Sequence, residues 1–420
     1  MPRSSKRKVS VDGVAVGASK RFRSSESRSP ERVHSRPSPS TDPLRQPHPF
    51  HEESEENGIV LRRFYPHEMS NARARAYNAN EIPRPIEQLN AALAETAKQR
   101  KRVKVQDAVV HLFKMDLRTM DNRALFAASE TASRAGVPLI GLYIISPQDF
   151  EAHLRSPIRV DFMLRSLKVL KDDLAKLDIP LYVETVEERR EVPGRVLALM
   201  EEWKASHLFA NIEYEVDELR REAKMTRMLA ERGFATEVMH DSCVVPPGQL
   251  ASGSGKQYAV YSPWFRSWIA HIHDNLELIE LSDAPFKNPA SARQRFGSLF
   301  HAEIPKAPSG KRLSEDEAKR YQQLWPAGEH EALKTLARFC DEKIGQYAAN
   351  RNVPGSDGTS SLSVHLASGT LSARTAIRTA RDRNRTKKLD GGGEGIRTWV
   401  SEVAWRDFYK HVLVNWPYVW

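Results

Sequence analysis

Cysteine is nearly missing: the 420-residue chain carries only Cys243 and Cys340. Two thiols cannot build a disulfide framework or a four-cysteine zinc site, and their scarcity suits a reducing compartment. Long apolar runs are missing too. The longest, VPLIGLYII at 137–145, is far short of the ~20 residues that span a bilayer. No apolar stretch of the secretory type follows the N-terminus, so neither a membrane span nor a secretory leader is expected. Nucleotide fingerprints fail as well. In ASGSGKQ (251–257) Lys256 precedes Gln257, and no glycine stands five residues before Gly255, so there is no P-loop. No G-x-G-x-x-G follows the first strand-like run, which disfavours ordinary dinucleotide binding there. LDGGGEG (389–395) lies between helical stretches and reads as a flexible connector.

Positive charge is abundant. The formal net charge is +10 and the pI near 9.5, a balance that favours polyanionic partners, nucleic acid first. Much of the excess lies in residues 1–50, where 11 Lys/Arg face 4 Asp/Glu among many Ser and Pro. Such a segment cannot bury a core and is expected to be a disordered tail. Its clusters PRSSKRKVS and SKRFRSS read as a nuclear import signal, with a mitochondrial transit segment as the alternative. In the rest of a tail running to 104, RPIEQLNAALAETAKQRKRVKV has the look of a helix that ends in cations.

From 105 to 242 the texture changes. Apolar runs at 107–113, 137–145, 179–184, 206–214 and 235–240 alternate with helical patterns at 120–136, 159–177, 193–204 and 216–232. The strands are too apolar to face water on either side. This predicts an α/β domain with a parallel, Rossmann-like sheet covered by helices on both faces. Residues 243–330 are rich in Pro, Ser and Gly with aromatic islands such as YAVYSPWFRSW (258–268), and read as a connector that wraps the surface. From 331 to 420 the pattern is wholly helical.

Two motifs carry chemistry. DGTSSLSVHLASGTLS (357–372) crowds Thr359, Ser360, Ser361 and Ser363 at the start of a helix. One hydroxyl suffices to cap a helix. Four in five residues, beside free backbone N–H groups, favour a phosphate site over capping alone. The second is SEVAWRDFYKHVLVNWPYVW (401–420). At about 100° per residue, Trp399, Glu402, Trp405, Arg406 and Tyr409 share an arc of about 120° on one helix. A solvated Glu402–Arg406 pair would explain the charges but not three rings beside them. Rings next to charged donors and acceptors suit a planar, partly anionic ligand.

At these residues the chain resembles the DNA photolyase/cryptochrome flavoproteins, and most of all the fungal cyclobutane pyrimidine dimer photolyases. FKMDLRTMDNRAL (113–125), YEVDELRRE (214–222), YAVYSPWFRSW, TSSLSVHLASGTLS and WVSEVAWRDFYKHVL have counterparts there in the same order. Lys114 stands where Arg is usual, and Val364-His365 where Pro-Tyr is frequent. The resemblance implies an antenna-carrying α/β domain and an all-α FAD-binding domain. It implies light-driven repair of pyrimidine dimers in UV-damaged DNA by a monomer, without nucleophile or metal. By the match, Tyr347, Thr359, Ser360, Ser361, Leu362, Ser363, Trp399, Glu402 and Arg406 belong to the FAD site. Arg351, Glu402, Trp405, Arg406 and Tyr409 face DNA, with Glu402 hydrogen-bonding a pyrimidine and Trp405 packing on the flipped dimer. Asp217 and Glu218 would contact the antenna pigment, and HLRSP (153–157) would form its rim. That pigment is expected to be a reduced folate (5,10-methenyltetrahydrofolate), with a deazaflavin as the alternative. The family's helical domain runs well past the position matching Trp420, so the resemblance implies a helical domain cut short. The other readings are a cryptochrome-type blue-light receptor and a non-catalytic fragment.

Overall fold

A computed structural model describes residues 70–353, 355, 357–384 and 386–419. The basic clusters of the tail, with their import and transit readings, lie outside these residues. The described part begins with two helices, α1 (Asn71–Asn78) and α2 (Pro85–Arg100). The second is the cation-ended helix of the sequence pattern. It is not a free arm: Leu89 and Ala92 are buried against Leu219, Ala223 and Val414.

Strands β1 (Ala108–Phe113), β2 (Leu139–Ile145), β3 (Leu181–Thr185), β4 (Ala205–Asn211) and β5 (Ala235–Met239) form a sheet in the order β3-β2-β1-β4-β5. Every pairing is parallel. All six residues of β1 are buried, as a central parallel strand covered on both faces requires. Val109, Phe113, Leu139 and Tyr143 join one core with Leu125 of α3 (Arg123–Ala135) and Leu167 of α4 (Pro157–Lys176). Val110, Leu112, Ile140 and Leu142 join the opposite core with Leu199 and with Leu229 of α5 (Val216–Glu231). Local chemistry fixes the ends of α3. Asn122 Oδ1 accepts from Leu125 N at 3.1 Å, and Gly136 closes the helix at φ 67°. A cap of this kind contributes ~1 kcal/mol.

The segment expected as a surface connector is partly core. Within it, α6 (Tyr261–Asp274) buries Trp264 and Trp268 completely. Two such rings gain on the order of 3 kcal/mol each from burial. They pack with α7 (Glu329–Glu342), α9 (Ala373–Arg383) and α10 (Glu394–Asn415) in one helical core; α8 (Ser363–Ser368) lies between α7 and α9 in the chain. The predicted flexible connector at 389–395 is a tied turn: Asn384 donates to Gly391 O (2.6 Å) and accepts from Gly393 N (2.9 Å). Gly395 lets α10 approach residues 344–345, since a Cβ there would lie 2.0 Å from Ile344 O.

Sheet and helices meet at a buried ion quartet. Arg374, fully buried, reaches Asp121 Oδ1 (2.9 Å) and Asp241 Oδ1 (2.6 Å), and Arg118 pairs with Asp241. Two cations and two carboxylates balance, so none is left as an uncompensated buried charge. Burial pushes the Asp241 carboxyl up, yet the two guanidinium groups outweigh it and hold it well below the usual carboxylate range. At the same junction Gly369, at φ 75°, passes Met115 so closely that a Cβ would lie 1.9 Å from its carbonyl oxygen.

Candidate functional site

Helix α10 has two polar faces with different fates. On one, Arg406 donates to Ser242 O and Lys410 to Ser242 Oγ at 3.1 Å. Asp407 Oδ2 accepts from Val244 N (2.7 Å), Val245 N (3.3 Å) and Trp268 Nε1 (3.3 Å). His411 Nε2 donates to Val245 O (2.8 Å), and its Nδ1 accepts from Trp264 Nε1 (3.3 Å). That pattern needs a neutral ring, and burial pushes His411 down to about 4. This face hooks the helix to the chain leaving β5.

The other face borders an open pocket of about 550 Å³ lined by Phe265, Arg351, Arg397, Ser401, Glu402 and Trp405. Glu402 pairs with Arg351, each about one-third exposed. Trp405 stacks on Tyr261 of α6, with ring centroids 3.6 Å apart and planes 9° apart. Tyr409 stands next to it, 5.5 Å away at 29°, and is 62% exposed. The pocket therefore offers an acceptor, a cation and a stacking wall together.

The five residues of the shared arc do not share one environment. Glu402, Trp405 and Tyr409 face or adjoin the pocket. Trp399 is buried in the helical core, 5.3 Å from Phe339, which Tyr347 meets edge-on at 5.6 Å. Arg406 turns to the sheet–helix junction. An arc of about 120° is wide enough to cover both a buried seam and an open face.

The Thr359–Ser363 stretch has the character its composition suggests. Leu362 occupies the cap position of α8, and no side chain caps that helix, so the hydroxyls of Thr359, Ser361 and Ser363 are not spent on its first turn. Ser360 Oγ accepts a long bond from Leu362 N (3.4 Å). Ser361 sits in the left-handed region at φ 53°, exposed, while the Leu362 side chain is buried. The donors thus fit a phosphate-bearing cofactor, and the rings of Tyr347 and Trp399 both pack on Phe339. Ser363 lines a second cavity, about 390 Å³, with Arg155, Phe162 and Trp325.

Asp217 and Glu218 sit at the start of α5, where acidic groups suit the helix dipole. Both belong to a dense ion cluster. Asp217 pairs with Arg189 and with His153 Nε2 (3.4 Å), and Glu218 with Arg221 (2.9 Å). Asp149 bridges Arg189 (2.8 Å) and Arg221 (2.7 Å). Burial opposes the charge of His153, but the two carboxylates outweigh it and raise it to about 9. Burial also opposes ionisation of Glu218, yet Arg221 and His153 hold it down to about 2. One ligand atom each from Asp149, His153, Asp217 and Glu218 lies within 4.8 Å of the others. Arg189, Arg221 and the protonated His153 balance the three carboxylates, which makes the group an ion-pair cluster rather than a metal cage. Asp149 and Arg189 carried no sequence signal, since their partners are distant in the chain, whereas Arg221 lay in YEVDELRRE three residues from Glu218. Beside the cluster, at the carboxyl ends of β1 and β2, lies a cavity of only about 60 Å³. Among the described residues no helix is long and apolar enough to cross a membrane.

Comparison with known proteins bears on this geometry. Residues 109–288 match the family described as DNA photolyase. The chain is 66% identical over 387 residues to the deoxyribodipyrimidine photo-lyase of Neurospora crassa, across 91% of this chain and 63% of that one. It is 26% identical over 385 residues to the mitochondrial deoxyribodipyrimidine photo-lyase of Saccharomyces cerevisiae, across 85% of this chain and 65% of that one. A class III photolyase from Agrobacterium tumefaciens shares the fold, with a TM-score of 0.59, 24% identity, and coverage of 75% of this chain and 61% of that one. The chain thus spans just under two thirds of the length of each.

Proposed function

The chain belongs to the DNA photolyase family, and on that premise we propose that it serves the light-dependent repair of cyclobutane pyrimidine dimers in UV-damaged DNA. The observation that carries the reading is the pocket on α10. There a ring already held in a stack (Trp405) stands beside a carboxylate (Glu402) and a guanidinium (Arg351).

Each group has a distinct task. A dimer must leave the helix stack to reach a pocket, which costs less for a damaged pair than for an intact one. Trp405 offers a stacking surface that offsets ~1–3 kcal/mol of that cost per base. Glu402 accepts an N–H from a pyrimidine edge. Its present partner Arg351 is then available to a backbone phosphate, so the ion pair opens as the lesion enters. Tyr409, exposed at the rim, adds a second ring for flanking bases. The Thr359–Ser363 hydroxyls hold the phosphates of FAD, with Tyr347 nearby in the same helical core. When bound in its reduced form, FAD supplies the photoexcited electron that opens the cyclobutane ring.

A reduced folate is the proposed antenna, near Asp217, Glu218 and the His153 rim. Its support is spatial. Enclosed ligand sites generally need ~300 Å³ or more, and the cavity at the strand ends measures about 60 Å³, which favours a pigment seated against the cluster over one enclosed behind it. A pigment resting against the cluster from outside escapes that limit. The basic tail supports entry to the nucleus, and the mitochondrial yeast relative supports a second, mitochondrial pool.

The test uses the chain as it stands, purified in dim light with added FAD. Retained flavin absorption and loss of dimers from DNA only under blue light are expected. A colourless protein, or equal dimer loss in light and dark, would defeat the reading.

A further inference from the structure

Trp405 can act as a stacking wall only if its ring is already in place, because a rotatable indole would lose its freedom on binding. We infer that Tyr261 is the positioning residue that fixes it. This inference rests on the pocket reading above. The Tyr261–Trp405 pair lies face to face, at 3.6 Å and 9°, so the phenol ring covers one face of the indole. Tyr261 is itself locked. Its hydroxyl donates to Ser401 O at 2.7 Å and lies 2.8 Å from Ser401 Oγ, one turn before Trp405 on the same helix. Burial pushes its phenol up to about 12, so the donor stays protonated at any physiological pH. Beneath it, Trp264 (5.8 Å) and Phe265 (5.4 Å) back the Tyr261 ring. The tyrosine thus ties the rings of α6 to both the backbone and the pocket ring of α10. It covers one face of the indole and leaves a ligand to use what remains.

The orientation of Trp405 is read independently of DNA by labelling the whole chain with 5-fluorotryptophan and assigning the Trp405 fluorine resonance by its loss in Trp405→Phe. The wild type is expected to show one narrow, ring-shifted line. Tyr261→Phe keeps the ring but loses the tether, so the line stays shifted and broadens. Tyr261→Leu loses both, so the shift collapses. Preference for dimer-containing over undamaged DNA is expected to fall by about 2- to 10-fold in Tyr261→Leu, the range an aromatic pair contributes, and less in Tyr261→Phe. An unmoved Trp405 line in Tyr261→Leu overturns the inference, as does a collapsed shift with unchanged DNA preference. If Tyr261→Leu does not fold, an unbroadened line in Tyr261→Phe overturns it. A wild type without any preference for dimers defeats the proposed function instead, and the fluorine spectra then decide the role of Tyr261 alone.

Discussion

The two faces of α10 contain similar residue types and behave oppositely. Arg406, Asp407, Lys410 and His411 spend their polar atoms on residues 242–245 and on the Trp264 and Trp268 ring nitrogens. Glu402, Trp405 and Tyr409 keep theirs at an open surface, with one ion pair to share. Charge among aromatic rings is therefore not a mark of a binding site by itself. What separates the faces is whether the partner is another part of the chain or has yet to arrive. Burial enforces the distinction, because a polar group inside must be satisfied within the fold while one at a pocket can wait.

The hooked face should break first under substitution. Asp407→Ala strands two backbone N–H groups and an indole N–H in a dry core, and is expected to cost about 3 kcal/mol in urea unfolding. Burial already pushes the Asp407 carboxyl up, and its Oδ1 has no hydrogen-bond partner among the described residues. Asp407→Asn keeps an acceptor and should cost clearly less; equal losses would refute the acceptor account. Trp405→Ala on the open face should reverse the pattern. It is expected to lower the affinity for dimer-containing DNA by about 10-fold, within the ~1–3 kcal/mol range for one stacked base, with a smaller stability loss than Asp407→Ala. A mutant that unfolds as readily as Asp407→Ala would show that the two faces do not differ as described.

The ion cluster around His153 offers a comparison by pH. The folded value of about 9 lies above the ordinary 6.5, so its stabilisation is complete below 6.5 and is lost as pH rises toward 9. Glu218, held at about 2 against 4.5, loses its share as pH falls from 4.5 toward 2. Wild type minus His153→Gln should give a stability difference on the order of 1 kcal/mol that shrinks between pH 6.5 and 9. A difference flat across that window would exclude the linkage. The smallest effect is expected at Arg351→Gln. Its pair with Glu402 is partly exposed, so stability should shift by less than about 1 kcal/mol. DNA binding should lose roughly one unit of salt dependence, and an unchanged slope would remove Arg351 from the phosphate contacts.

Much of this architecture was legible in the sequence. The five strands announce themselves because central parallel strands must be apolar on both sides, as in AVVHLF of β1. Thr359–Ser363 stood out because four hydroxyls exceed what one helix start needs. The faces of α10 were only half legible: helical geometry gives an angle but not what lies at that angle, so Arg406 and Trp399 fell into one arc with Glu402. The buried quartet was invisible, because Arg374 and Asp121 are 253 positions apart and nothing local marks either as buried. Tyr261 lay inside a conspicuous aromatic island, yet only the fold pairs it with Trp405.

The N-terminal helices carry one more consequence. Arg84 Nε donates to Asn415 O at 2.9 Å across 331 positions, and Tyr418 donates to Asn78 Oδ1 at 2.8 Å. These contacts join nearly the first and nearly the last described residues. On a ribosome adding ~5–20 residues per second, Arg84 emerges roughly 15–65 s before its acceptor is made. Docking of α2 on α5 can come much earlier, and keeps the arm in place meanwhile. The end of α10 is thus received by a surface assembled well before it, and the last stitch of the described fold closes beside the helix that carries the pocket.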